Sequence, residues 1–218
     1  MGCDIHCIVE KKGNDGMWKA IKGQGCLIKM CKEHIHEAVK QNNKDNIDYY
    51  TKRLLEYRKS HGLSIEWIFD DRHYELFALL ADVRNYDEWP ALFAGRGLPP
   101  HPSTSTQSEL KEWDSDAHSL TYFSLKDIKD AKWDQKVIRT AVVEDGDWNE
   151  FLQHPDWKWP HCYCMWTSST TAHERSWELT SRDIADRFFK IVVSKMEKLA
   201  RHSLDGDEGV RLVVFFDN

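Results

Sequence analysis

A seven-residue run, Val-Arg-Leu-Val-Val-Phe-Phe at 210–216, constrains the fold more than any other segment. It is rich in β-branched and aromatic residues and is shorter than a typical helix, so it predicts a β-strand that is buried on at least one face. A buried strand needs partner strands and a covering layer. The sequence therefore predicts a sheet packed against helices.

The N-terminal segment supplies the first candidate partner. Residues 4–10 alternate in polarity and favour a strand, and a second short strand is predicted at 17–22. The residues between them, Lys-Gly-Asn-Asp-Gly at 12–16, are typical of a tight turn. We therefore expect a hairpin, followed by a further strand at 64–69.

Several helices are predicted from apolar spacing and capping residues. Residues 31–59 form either one long amphipathic helix or a helix pair broken near Asn42. A helix buried on most sides is expected from Tyr74 to Val83, another helix should begin at Ser124, and the last one follows Thr180 and runs to Leu199.

Two stretches are predicted to be rich in loops. Residues 84–120 hold most of the prolines and a Ser/Thr cluster, and residues 145–175 are rich in tryptophan without clear periodicity. A long loop in a compact domain is usually functional or mobile. Because no Pro/Gly/Ser-rich linker divides the chain, we expect a single α+β domain over 1–218, with a mainly antiparallel sheet that includes the N- and C-terminal strands.

Composition excludes some classes of function. The formal net charge of −6 argues against long duplex nucleic acid as the partner, because basic residues dominate that kind of binding. No apolar run approaches the roughly 20 residues that span a bilayer, so no membrane partner is expected. The opening Met-Gly-Cys-Asp-Ile-His has neither a basic leader nor an apolar signal core, which predicts a cytoplasmic protein with reduced cysteines. The sequence does not indicate an oligomeric state.

The first candidate site residues are two Asp-x-His pairs. Asp4 and His6 are two apart on a predicted strand, so their side chains should share a face. Asp116 and His118 repeat the spacing in a predicted loop. Carboxylate and imidazole groups together are typical ligands of divalent cations, so these four residues predict a site for Mg²⁺, Mn²⁺ or Zn²⁺. The alternative for each pair is a solvated strand start or turn.

A second group of candidates suits an anionic substrate. Asp71, Arg72 and Tyr74 cluster where a strand is expected to lead into a helix, whose backbone N–H groups favour anions. Arg84 and Asn85 follow that helix, and Arg96 stands between two glycines. Arginines at such positions suit phosphate binding. The alternatives are a helix N-cap at Asp70 or Asp71 and a C-terminal cap by Arg84.

Three further motifs contain cysteine, histidine or aspartate side chains. Cys162-x-Cys164 beside His161 lacks a second cysteine pair at zinc-ribbon spacing and favours buried packing. His34-x-His36 lies on a predicted helix, where that spacing points the rings apart. Asp217 ends the C-terminal strand and would lie beside Asp4 and His6 if the two terminal strands are neighbours.

The chain also resembles an uncharacterised family found in bacteriophages and prophages. The resemblance rests on five motifs along the chain: MGCDIH at 1–6, DRHYELFALLADVRN at 71–85, RGLP at 96–99, DAHS at 116–119 and VRLVVFFDN at 210–218. It implies polar motif residues at Asp4, His6, Asp71, Arg72, Tyr74, Arg84, Asn85, Arg96, Asp116 and His118. No reaction is implied by it. A phage setting suggests, by association, interference with a nucleotide-signalled host defence.

Three functions are compatible with these residues. The leading hypothesis is a metal-dependent phosphodiesterase of a small nucleotide, in which Asp4, His6, Asp71 and His118 act in catalysis and the arginines hold phosphate. The second is a protein without enzymatic activity that sequesters a nucleotide signal. The third is an inhibitor that binds a host enzyme through acidic and aromatic surfaces.

Overall fold

A computed structural model describes residues 3–23, 26–61, 64–65, 68–69, 72–163 and 168–217. Contacts divide the chain into two compact units. Unit 1 comprises residues 1–72, 95–129 and 191–218, and unit 2 comprises 73–94 and 130–190. The α+β class is confirmed, with antiparallel sheets that include the N- and C-terminal strands. Whether the units form one domain stays a prediction.

Unit 1 is built on a four-stranded antiparallel sheet. Its order is β2 (Trp18–Ala20), β1 (Ile5–Lys12), β9 (Val210–Phe216) and β5 (His118–Ser124). The predicted hairpin is confirmed as β1 and β2. A separate two-stranded ribbon pairs β3 (Lys22–Gly23) with β4 (Ser64–Ile65), so the strand expected at 64–69 is shorter than predicted.

Strand β9 lies between β1 and β5, and every one of its residues is buried. On one face Val213 and Phe215 pack with Ile8 and Ala20, beside half-buried side chains such as Trp113. Helix α9 (Ser194–Ala200) contacts β9 and β1. The strand expected from the apolar run is thus confirmed, and it is buried on both faces.

A charged pair lies inside this sheet. Glu10 and Arg211 face each other across β1 and β9, with 0% and 4% of their surfaces exposed. The guanidinium donates to the Glu10 carboxylate at 2.7 Å and also to the backbone carbonyl oxygens of Pro100 and His101 at 3.0 Å. Glu10 in turn accepts from the Ser103 backbone N–H at 2.7 Å. The pair therefore fixes the segment at 100–103 to the sheet.

The prediction of little regular structure over 84–120 is wrong. Helix α4 (Thr104–Trp113) and the first part of β5 lie within it, joined by one 3-10 turn at 114–116. The Ser/Thr cluster begins this helix, because the Ser103 side chain accepts from the backbone N–H of Thr106 and caps the first turn. Serine at this position is therefore a capping residue.

The other helices of unit 1 follow the predictions closely. Helices α1 (Cys26–Lys40) and α2 (Lys44–His61) contact each other, and Asn42 between them has a φ of 53°. The helix pair was thus the correct alternative. Helix α5 (Leu125–Asp130) begins with the expected reciprocal cap between Ser124 and Asp127.

Unit 2 contains a three-stranded antiparallel sheet in the order β7 (Cys162–Tyr163), β6 (Lys136–Glu144) and β8 (Ala172–Thr180). Helix α3 (Tyr74–Ala81) and helix α6 (Asp145–Gln153) belong to the same unit. Its buried cluster includes Leu79, Trp89, Val143 and Trp177. Strands β6 and β8 were not predicted, and the irregular structure expected at 145–175 is wrong for α6 and for β7 and β8.

The last predicted helix is interrupted. A capping box at Thr180 begins α7 (Ser181–Ile184), which is followed by α8 (Asp186–Phe188), a π-helical turn at 189–193 and α9. The cap at Thr180 is as expected.

Candidate functional site

The two terminal strands meet at one end of the unit 1 sheet. Because β1 and β9 are antiparallel, with Ile5 opposite Phe216, Asp4 lies beside Asp217. The backbone N–H of Asp217 donates to the Asp4 carbonyl oxygen at 3.3 Å. The backbone N–H of Asp4 donates to Asp217 Oδ1 at 2.8 Å. The adjacency of Asp217 and Asp4 that the sequence suggested is therefore confirmed.

His6 is held by Asp217 and by two aromatic rings. Its Nε2 lies 3.2 Å from Asp217 Oδ2, and its ring centroid lies 4.7 Å from that of Phe215 and 4.4 Å from that of Trp113. Only 9% of the residue is exposed, so the solvated alternative does not describe it. Burial lowers the pKa of His6 below its ordinary value, although Asp217 and Asp4 act in the opposite direction. The direction of this shift favours the neutral imidazole.

Asp4 forms a bidentate pair with Arg72. Arg72 Nε donates to Oδ1 at 2.5 Å and its terminal nitrogen to Oδ2 at 2.9 Å. The hydrogen bond and charge of Arg72 lower the pKa of the Asp4 carboxyl, with a smaller contribution from His6. The Arg72 side chain is 59% exposed, so the pair is accessible to solvent.

These contacts form one hydrogen-bonded chain: His6, Asp217, Asp4, Arg72. A neutral imidazole oriented by a carboxylate is an arrangement that can accept a proton. An exposed guanidinium at the other end can bind a planar or tetrahedral anion. The structure thus brings three of the candidate residues, Asp4, His6 and Arg72, together with Asp217.

The carboxylates of Asp4 and Asp217 are engaged by protein groups in this structure. Arg72 engages both oxygens of Asp4, and the oxygens of Asp217 face the Asp4 N–H and the His6 ring. Among the residues that the structure describes, no group of three or more His, Cys, Asp or Glu side chains is arranged to hold a metal ion. The predicted metal stays a prediction, and a cation here would first have to displace Arg72.

His118 is not brought to His6. It pairs with Phe216, whose ring it stacks on at 6.1 Å, whereas His6 stacks on Phe215. Adjacent strand residues point to opposite faces, so the two imidazoles lie on opposite sides of the sheet. His118 Nδ1 lies 3.0 Å from Ser119 Oγ, and Asp116 is exposed in the 3-10 turn.

Arg96 lies at a different place in unit 1. Its guanidinium contacts Asp127 Oδ2 at 3.1 Å and the Tyr122 carbonyl oxygen at 3.4 Å. The flanking Gly95 and Gly97 both have positive φ, which explains the glycines by backbone conformation. Arg96 thus braces the start of α5 in this structure.

Tyr74, Arg84 and Asn85 belong to unit 2. Tyr74 begins α3 and packs edge-on against Phe77 at 5.6 Å. Asn85 donates to Asp82 Oδ1 and to the Trp89 carbonyl oxygen and accepts from the Trp89 N–H, so its amide closes the loop after α3.

Helix α3 is capped by other residues than predicted. Its C-cap is Asp82 rather than Arg84, whose guanidinium lies 3.4 Å from the Tyr86 hydroxyl. Its N-cap is His73. Asp70 and Asp71, including the proposed catalytic role of Asp71, lie outside the described residues.

Comparison with known proteins adds no relative. No family model matches the chain, and neither a curated protein nor a solved structure matches it. The resemblance to a phage family therefore stays a prediction. Among the described helices, none combines the length and apolar character needed to cross a membrane.

Proposed function

We propose that this protein hydrolyses a phosphodiester bond of a small nucleotide at the sheet end formed by Asp4, His6, Arg72 and Asp217. The observation that carries the proposal is the hydrogen-bonded chain from the buried imidazole to the exposed guanidinium. The chain joins a candidate general base, His6, to a candidate phosphate-binding residue, Arg72, in one continuous network.

In this proposal His6 is the general base. With Nε2–H donated to Asp217, Nδ1 carries the lone pair and accepts a proton from the attacking water. The lowered pKa favours the neutral ring that a general base requires. Asp217 is a positioning residue, because it fixes the tautomer while its other oxygen is held by the Asp4 N–H.

Arg72 binds the phosphate. In its bidentate contact with Asp4, the edge formed by Nε and one terminal nitrogen engages both carboxylate oxygens, and a phosphodiester presents two oxygens with similar geometry. Substrate binding exchanges one anion for the other and leaves Asp4 to solvent or to the substrate. Water then adds to phosphorus, the bond to the leaving alcohol breaks, and the proton taken by His6 returns to the alcohol oxygen.

The phage resemblance suggests the particular substrate. A cyclic nucleotide signal of host anti-phage defence is the proposed class, and the host cytoplasm is the proposed location. The net charge of −6 favours a small anion bound at a local cation over a long duplex.

The test is chromatography of a panel of cyclic mono- and dinucleotides incubated with the purified chain. We expect a linear nucleotide product, and the variants His6→Gln and Asp217→Asn should lower the rate by about a hundredfold or more. Lys19→Met is a matched control, since it breaks an exposed Lys–Asp pair in the same unit. Equal rates in His6→Gln and the parent protein would refute the role of His6. Added EDTA separates a metal-free reaction from one in which a cation replaces Arg72 at Asp4.

Sequestration without catalysis is the second candidate. It is favoured by the occupied carboxylates, because a site that only binds needs no free base or metal ligand. It predicts that a nucleotide bound by the parent protein is recovered intact after heat denaturation, and that Arg72→Met weakens binding. Quantitative conversion to product would exclude it.

A further inference from the structure

Unit 2 contains a cleft of about 460 Å³ that has no part in the function proposed above. Its lining combines cationic, acidic and aromatic side chains: His73, Lys158, Trp159, Arg182, Asp183, Ile184, Asp186 and Arg187. The volume lies within the range of sites for small organic ligands.

The cleft is locally positive on an acidic protein. Three cations and two carboxylates line it, and each carboxylate is already engaged. Asp183 accepts from the N–H and the hydroxyl of Thr180 and lies 3.4 Å from Lys158 Nζ. Asp186 pairs with Lys190 at 2.5 Å. The remaining positive charge favours an anionic ligand.

Arg182 is oriented for such a ligand. Its guanidinium carbon lies over the face of the Phe189 ring, 3.2 Å from the ring centroid. Within the described part of the chain its side chain makes no hydrogen bond or ion pair. A stacked guanidinium keeps its N–H groups directed outward in the plane, where an anion can accept from them.

Trp159 supplies an aromatic surface in the same lining. The residue is 38% exposed, and its ring meets Trp177 edge-on at 6.3 Å. The backbone before it is anchored, because Trp177 Nε1 donates to the Lys158 carbonyl oxygen at 3.2 Å. Trp159 is thus held in place while much of its ring stays accessible for stacking.

We propose that this cleft binds a small aromatic anion, in the manner of a nucleoside monophosphate, with the anionic group at Lys158 and Arg182 and the planar ring on Trp159. The inference is independent of the function proposed for unit 1, since none of its residues belongs to that unit.

The test is isothermal titration of the full chain with AMP, adenosine and inorganic phosphate. We expect AMP to bind at least about tenfold more tightly than either fragment, because it alone engages both parts of the cleft. Arg182→Met and Trp159→Ala should each weaken AMP binding about tenfold, from loss of a charge-assisted hydrogen bond and of ring stacking respectively.

Matched variants separate this cleft from other effects. Lys136→Met removes an exposed cation of unit 2 that is paired with Glu178 and does not line the cleft, and it should leave AMP affinity unchanged. Lys19→Met, which breaks an exposed ion pair in unit 1, should also leave it unchanged. Circular dichroism checks that Arg182→Met is folded, and Lys158→Met provides a second variant. Absence of saturable binding at millimolar AMP, or unchanged affinity in Arg182→Met and Trp159→Ala, would overturn the proposal. Equal affinity for phosphate and AMP would overturn its aromatic part.

Discussion

Replacing Glu10 with leucine should destabilise unit 1 by about 3–5 kcal/mol. The carboxylate is fully buried and accepts from Arg211, from the Ser103 N–H and from the Thr106 hydroxyl at 2.6–2.7 Å. Its removal leaves the Arg211 guanidinium buried without its counter-ion, and breaking a buried pair on one side costs about this much. This is a large part of a typical stability of about 5–15 kcal/mol.

The assay is urea unfolding at pH 7 with hydrogen exchange of β1 and β9 peptides measured by mass spectrometry. Exchange reports on unit 1 directly, which matters because two units need not unfold as one. Asp205→Asn is the matched control, because it breaks an exposed ion pair with Lys12, which lies on β1 as Glu10 does. It should lower the free energy of unfolding by at most about 1 kcal/mol.

The double variant Glu10→Leu with Arg211→Leu tests the cause. It should lose about 1–3 kcal/mol less than the sum of the single changes, because neither charge is then left unpaired. A loss below about 1 kcal/mol in Glu10→Leu would refute the reasoning, and so would strict additivity in the double variant.

Two further predictions concern unit 1. The folded state lowers the pKa of His6 below its ordinary 6.5, so the stability this neutral ring contributes is present above pH 6.5 and is lost as the pH falls through the folded-state value. Urea unfolding between pH 7 and pH 5 should therefore show a steeper loss for the parent protein than for His6→Gln, and parallel curves would contradict this. Ser103→Ala should lower the stability measured by thermal unfolding by about 1 kcal/mol, because the N-cap of α4 is lost. Thr104→Ala, one residue later and exposed, should lower it less. An equal loss of stability in the two variants would argue against capping.

Local signals predicted part of the fold well. The hairpin of β1 and β2, the cap at Ser124 and the strand at 210–216 each depend on neighbouring residues, through turn chemistry, capping or β-propensity. Helix α4 within 84–120 also has a local signal, the N-cap Ser103, but the prolines before it favour a loop.

The sequence alone determined that Asp4 and His6 share one face of a strand, since the side-chain period of a strand is two. It could not determine that β9 lies between β1 and β5, because strand order depends on pairs of residues that are 87 to 211 positions apart in the chain. The pairing of β1 with β9 places Asp217 against His6. The pairing of β5 with β9 puts His118 on the other face of the sheet. The tertiary structure also decided that Arg72 closes on Asp4, and that Lys158, Trp159 and Arg182, from separate segments, line one cleft. Local preferences act over a few residues, whereas a site is made by chain segments that meet only when the core is buried.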